Sequence, residues 1–427
     1  MYKVGMASLG CPKNQVDAEI MLQKIKNAGF EITPVEAEAD AIIVNTCGFI
    51  EDAKTEAVEN ILEVAKYKAE CYCDGIFEEM PGVDAVVGLA GNNDIVGVLN
   101  DALGGIKKGY YGEKEALIIE GERMLTTPKY TAYVKIAEGC DNCCTYCAIP
   151  SIRGRFRSRT MESIEDEVRR LAENGVKEVI LVAQDTTRYG EDLYGSGRLP
   201  ELLGRLCRIN GIKWIRMLYT YPERITDELI DVMATEEKVV NYLDIPVQHC
   251  NDTVLKRMNR RSTKSALTEL FKKLRDRLPD VTIRTTLITG FPGETEEQFE
   301  ELCEFVREIR FDRLGCFAYS EEEGTVAAGF ADQIDRQVRV DRSEMIMNDQ
   351  LAIILEKNAE KVGTVKEILI EGYDDYIKCY FGRTSSDAPE IDGKVFFISP
   401  KPLVIGTFEN VRINDSLEYD LLGELEE

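Results

Sequence analysis

The chain is poor in histidine and in basic residues, and it has no long apolar run. Its single histidine, His249, rules out a metal site built on a histidine pair. No stretch of eighteen apolar residues occurs, so a membrane-spanning helix is not expected. The opening MYKVG lacks a charged region followed by an apolar one, which predicts a cytoplasmic chain without an export leader. Lysine and arginine number 52 against 77 aspartates and glutamates, a net charge of −25. Such a surface repels nucleic-acid phosphates and favours basic partners, so nucleic acid is not expected as the direct substrate.

Cysteine, by contrast, is plentiful: thirteen in 427 residues. In a chain that is not exported this argues for metal or redox chemistry over structural disulfides. The most informative run is GCDNCCTYCAIP (139–150), in which Cys140, Cys144 and Cys147 form a C-x-x-x-C-x-x-C array after an apolar stretch at 132–137. Three soft thiolates at this spacing can hold three irons of a [4Fe–4S] cube. The fourth iron then has no protein ligand, and an open metal position is where substrate or cofactor binds. Reductive cleavage of S-adenosylmethionine (SAM) needs such a cluster. Zinc or a disulfide framework is the alternative, but zinc sites usually show two separated pairs of ligands, and no second pair follows. Cys143 is an extra thiol inside the array and reads as a bystander.

The length suggests two or three domains. Residues 1–105 alternate strand patterns (3–7, 41–44, 85–89) with helical ones (17–28, 52–67, 95–103), as expected of an α/β domain with a parallel sheet. Cys11 and Cys47 fall at strand ends, where side chains of parallel sheets converge, although they lie 36 residues apart. Residues 106–129 read as a linker. Residues 130–360 repeat strand-then-helix units, with strands at 132–136, 178–183, 213–218, 240–246, 281–288 and 313–319 and helices at 163–173, 295–308 and 335–360. Six units predict a partial (βα)6 barrel, whose chemistry belongs at the carboxyl ends of its strands. The cysteine array, Gln184 with Asp185, Gln248 with His249, and TGFPGE (289–294) all follow strands and therefore share one rim. Residues 361–427 carry four short strand patterns (365–370, 376–381, 394–398, 403–411), with turns at Asp374-Asp375, Ile391-Asp392-Gly393 and Asn414-Asp415. They predict a small antiparallel β-barrel of the kind that recognises partners. Seven basic against fourteen acidic residues give this tail a net charge of −7.

Together these features resemble the radical-SAM methylthiotransferases, over nearly the whole chain. Within that family the motifs are most similar to the branch that modifies an aspartate of small-subunit ribosomal protein S-twelve. They are SLGCPKNQVD (8–17), YVKIAEGCDN (133–142), IPSIRG (149–154), VAQDTTRYG (182–190), YLDIPVQH (242–249), RTTLITGFPGET (284–295), DAPEIDG (387–393) and YDLLGE (419–424). The resemblance implies two [4Fe–4S] clusters, a SAM-cleaving one on Cys140, Cys144 and Cys147 and an auxiliary one in the N-terminal domain. It implies a C-terminal TRAM domain, a separate electron donor, and SAM used both as methyl donor and as source of a 5′-deoxyadenosyl radical. That radical would take hydrogen from the aspartate β-carbon, whose C–H bond has no acidity for a side-chain base to exploit. A transfer-RNA methylthiotransferase is the alternative within the family, and the acidic tail speaks against it.

The resemblance also assigns residues. Tyr146 matches an adenine-contact position, with plain packing against the cluster loop as the other reading. Gly290, Pro292 and Gly293 would let backbone approach SAM, though a tight strand-to-helix turn needs the same residues. Gln184 and Asp185 are polar candidates for SAM or substrate. His249 is a weak candidate for catalysis, since a lone histidine is more often structural. The auxiliary cluster would use Cys11, Cys47 and a third cysteine that normally follows a further strand. That strand is missing here, and the chain offers only KAECYCD (68–74). Either Cys73, with Cys71 as alternative, replaces the third ligand, or the auxiliary cluster is incomplete and SAM cleavage proceeds without sulfur transfer.

Overall fold

A computed structural model describes residues 1–48, 50–65, 82–113 and 120–426. Strands Lys3–Ser8, Glu31–Ile32 and Ala41–Asn45 form a parallel sheet with Lys3–Ser8 at its centre. The helix expected to begin at residue 17 begins five residues earlier and spans Pro12–Asn27, because a proline suits the first helical turn, where its missing N–H is not needed. The helix expected over 52–67 is seen as Glu51–Ala65. Residues 66–81, which include Cys71 and Cys73, lie outside the described residues. Within the stretch read as linker, Lys108–Tyr110 forms a strand parallel to Ala85–Val87. Its KGY sequence is too short and polar to show a strand pattern.

Six parallel strands follow in chain order: Thr131–Lys135, Glu178–Val182, Trp214–Met217, Val239–Asp244, Thr282–Thr289 and Arg313–Ala318. Side chains alternate across this curved sheet. Val179 and Leu181 face outward into the large core formed with the surrounding helices. Ile180 and Val182 face inward with Trp214, Leu218, Val240 and Tyr242. Val16 and Ile20 of the first helix cover this inner face on one side, and Leu369 and Ala388 of the tail cover it on another. The partial barrel is thus plugged by its two neighbours.

The tail is a closed five-stranded barrel of Val365–Asp374, Cys379–Arg383, Val395–Ile398, Phe408–Leu417 and Asp420–Leu425. It is antiparallel except where Val395–Ile398 runs parallel to Asp420–Leu425. Asn414-Asp415 is not a turn; the register shifts between Ile413 and Asp415, so the polar pair sits at a bulge inside a strand. Buried charge fixes the tail on the (βα)6 unit. Glu178 accepts from Arg216 at 2.9 Å and from Arg383 at 2.7 Å. Tyr242 donates to Asp392 at 2.7 Å, and Arg313 pairs with Asp387. Such buried pairs add little net stability over apolar packing, but losing one partner strands the other, so they define one docking register.

Candidate active site

Asn14 brings the two N-terminal cysteine loops together. Its amide donates to Leu9 O at 2.8 Å and to Thr46 O at 2.9 Å. Gly10 between them has φ +88°, and a Cβ there would lie 2.7 Å from the Cβ of Cys47. Cys11 caps the Pro12–Asn27 helix. Burial pushes its thiol up, but the Lys13 ammonium, nearby backbone N–H groups and Arg153 outweigh that, and the pKa falls below the ordinary thiol value.

The Cys140–Cys147 loop is held from several sides. Gly139 (φ +76°) leaves only 2.1 Å between a Cβ and Arg155 O. Cys140 N donates to Gly154 O, and Thr145 N to Met258 O, each at 3.1 Å. Asn142 donates to Asp185 at 2.8 Å, which gives Asp185 a role in supporting the loop. A short ribbon of Ala137–Glu138 and Arg157–Ser158 flanks the loop. Desolvation pushes Cys140 up to about 11 and Cys147 up to about 12. These thiols stay protonated at neutral pH unless a cation draws off their protons. Cys144 Sγ and Tyr221 Oη lie 3.3 Å apart, and the Arg260 guanidinium stacks over the Tyr221 ring at 4.2 Å.

Both cysteine sets face one cavity of ≈ 870 Å³, lined by Cys11, Cys47, Cys140, Cys144 and Cys147. Cys143 (φ +52°) also reaches it from its exposed position in the loop. Tyr146 and Gln184 line the cavity, as does Gln248. The Gln184 and Gln248 side-chain oxygens are buried without a hydrogen-bond donor among the described residues. Unpaired buried acceptors of this kind await a ligand's N–H or O–H groups. Among the described residues no three His, Cys, Asp or Glu side chains close around a single ion. A cube asks for a different arrangement, one thiolate to each of three irons. The donor set therefore suits an iron–sulfur cluster with room for a second ligand.

Other sequence candidates lie behind the cavity wall. Gly290 (φ +67°) and Gly293 (φ +78°) make a tight turn; a Cβ on Gly290 would strike Arg339, and one on Gly293 would strike Asp332. Both Glu294 carboxylate oxygens accept from Gly290 N, at 3.1 and 3.0 Å. Neither glycine, nor Pro292, lines the cavity. Phe291 packs in the small core that supports Tyr146, so the turn acts on the site through that ring. His249 is fully buried; its Nδ1 accepts from Asn251 N at 2.9 Å, and its Nε2 lies 3.4 Å from Glu294. It, too, does not line the cavity.

Residues that composition and spacing did not single out complete the site. Asp17, Lys135, Glu138 and Arg153 form a buried ion network beneath both cysteine loops. Burial alone would raise the Glu138 carboxyl; the Lys135 and Arg153 charges hold it well below the usual carboxylate range. Lys13 lies over the Tyr219 ring at 3.4 Å. Tyr219 has φ +61°, a conformation costly for a bulky residue, and is held there by donation to Asp244 at 2.9 Å.

The radical SAM superfamily profile matches residues 134–306, the family described as uncharacterized protein family UPF0004 matches 3–88, and the TRAM domain matches 362–425. The chain is 50% identical over 443 aligned positions to the ribosomal protein uS12 methylthiotransferase RimO of Desulforamulus reducens, with all of both chains covered. It belongs to the uS12 methylthiotransferase family. A second member, from Acetivibrio thermocellus, is 49% identical, with 99% of this chain and 98% of the relative covered. Among solved structures, a radical SAM methyltransferase, TsrM from Kitasatospora setae, superposes with a TM-score of 0.56 at 14% identity, covering 74% of this chain and 73% of that one. That likeness concerns the fold. Membership of the radical SAM superfamily implies SAM and [4Fe–4S] iron–sulfur chemistry. No helix among the described residues is long and apolar enough to cross a membrane.

Proposed function

We propose that this chain transfers a methylthio group to the β-carbon of an aspartate in ribosomal protein uS12, in the cytoplasm, drawing electrons from a separate donor. The observation that carries the reading is the convergence of two separate cysteine sets on one cavity. Cys140, Cys144 and Cys147 would hold the SAM-cleaving cluster, and Cys11 and Cys47, with Cys73 or Cys71, an auxiliary one. Held by these thiolates, such a cluster would supply the electron for reductive cleavage of SAM to a carbon radical. The chain's own part is positional. Tyr146 lies on the wall beside the cysteine loop, where an adenine ring can stack. Gln184 and Gln248 present acceptors for the N–H groups of SAM or substrate. The barrel rim and the N-terminal domain line the cavity between them, which limits the access of solvent to a radical. The family matches at 3–88, 134–306 and 362–425 support assigning residues 1–105 to the methylthiotransferase domain, 130–360 to the SAM core and 361–427 to TRAM, with 106–129 between them.

Reconstituted protein given SAM, a reductant and uS12 tests the reading. Formation of both 5′-deoxyadenosine and methylthiolated uS12 is expected. 5′-Deoxyadenosine with unmodified uS12 would mean an incomplete auxiliary cluster, and methylthioadenosine in RNA would move the chain to the transfer-RNA branch.

A further inference from the structure

Lys13 is 7% exposed, lines the cavity, and has no hydrogen bond or ion pair among the described residues. Its one close contact is the Tyr219 ring face at 3.4 Å, which stabilises a cation without neutralising it. The nearby carboxylates do not pair with it, and the anion-forming group that bears on it most is the Cys11 thiol, which the proposed auxiliary cluster would claim. Asp17 and Glu138 are already shared between Lys135 and Arg153, and Asp244 is taken by Arg284 at 2.8 Å. Burial lowers the Lys13 pKa, and an anionic ligand entering the cavity would offset that cost by pairing with the side chain.

We propose that Lys13 binds the side-chain carboxylate of the substrate aspartate and so selects a carboxylate-bearing residue. This rests on the function proposed above. The carboxylate is bonded directly to the β-carbon, so whatever grips it lies beside the reacting atom. Lys13 stands two residues from Cys11, where the sulfur donor would sit, and leans on a barrel residue, Tyr219, at the rim that carries the Cys140–Cys147 loop. It is therefore placed between the source of sulfur and the source of the radical. Lys13 acts as a specificity residue and takes no part in hydrogen abstraction.

The test uses reconstituted full-length chain and two fluorescent peptides from uS12, one with the target aspartate and one with asparagine there. Binding is read by anisotropy, and product by mass spectrometry. Wild-type chain is expected to bind the aspartate peptide at least about tenfold more tightly, the scale of one charge-assisted hydrogen bond. Lys13→Gln should abolish that preference, and Lys13→Arg should keep most of it. Equal binding of the two peptides by wild-type chain would overturn the proposal without any variant. So would Lys13→Gln protein that keeps the preference while losing SAM affinity or shifting the cluster spectrum; Lys13 would then serve the SAM carboxylate or the cluster charge. Methylthio product on the aspartate peptide reports separately on the underlying reading.

Discussion

Arg153 Nη1 lies 2.9 Å from Glu138 Oε2, and this contact ties the segment after the cysteine loop to the strand end before it. The same guanidinium reaches Asp17 at 3.3 Å and Asn14 at 3.3 Å, so one side chain joins the N-terminal domain to the SAM core. Arg153→Met should destabilise the protein by about 3–5 kcal/mol, because it leaves buried carboxylates short of a partner. Urea unfolding checks this.

The network also sets a pH dependence. The Glu138 carboxyl is held below its ordinary value in the folded state, so its stabilisation is complete above the unfolded carboxylate pKa of about 4.3. It is lost progressively as pH falls below that value toward the folded one. Apoprotein unfolding between pH 6 and pH 3 should show stability falling with acid, and Glu138→Gln should flatten that part of the fall.

Gly139 and Gly175 both have positive φ, +76° and +97°, but differ in their surroundings. A Cβ at Gly139 meets Arg155 O at 2.1 Å, whereas one at Gly175 meets nothing within 4 Å. Gly175→Ala should cost only backbone strain, about 1 kcal/mol. Gly139→Ala should displace the loop and lower bound iron after reconstitution.

Iron content distinguishes the cysteine sets. Two cubes give about eight irons per chain and one gives about four. Ala at Cys140, Cys144 or Cys147 should remove one cube and all 5′-deoxyadenosine formation, while Cys143→Ser should keep both. Cys11→Ala and Cys47→Ala should remove the other cube only, and comparing Cys73→Ala with Cys71→Ala assigns its third ligand.

His249→Asn should leave the pH profile of 5′-deoxyadenosine formation unchanged and lower stability by about 1–2 kcal/mol, since the ring bonds the chain beneath the Gly290–Glu294 turn. A displaced profile would give His249 a role in proton transfer.

The six barrel strands were legible because buried strands such as EVILV (178–182) carry continuous apolar runs. The cysteines were legible because ligand spacing within one loop is a local property. The Lys135–Asp17 pair spans 118 residues, and no local pattern announces it. Lys13 looked like one polar residue in a motif until the fold placed it under Tyr219. The Gly290–Gly293 turn was ambiguous for a different reason: backbone approach to a ligand and a tight turn ask for the same residues, and only the packing of Arg339 and Asp332 against it separates them. The last strand, Asp420–Leu425, escaped because only Glu418-Tyr419 separates it from Phe408–Leu417, and neither glycine nor proline marks that turn.

Mass spectrometry of uS12 co-expressed with this chain tests the central claim most directly. A gain of one methylthio group on a single aspartate, absent when Cys144 is replaced by alanine, is the predicted result. Unmodified uS12 from cells in which the chain carries its full iron and cleaves SAM would contradict it.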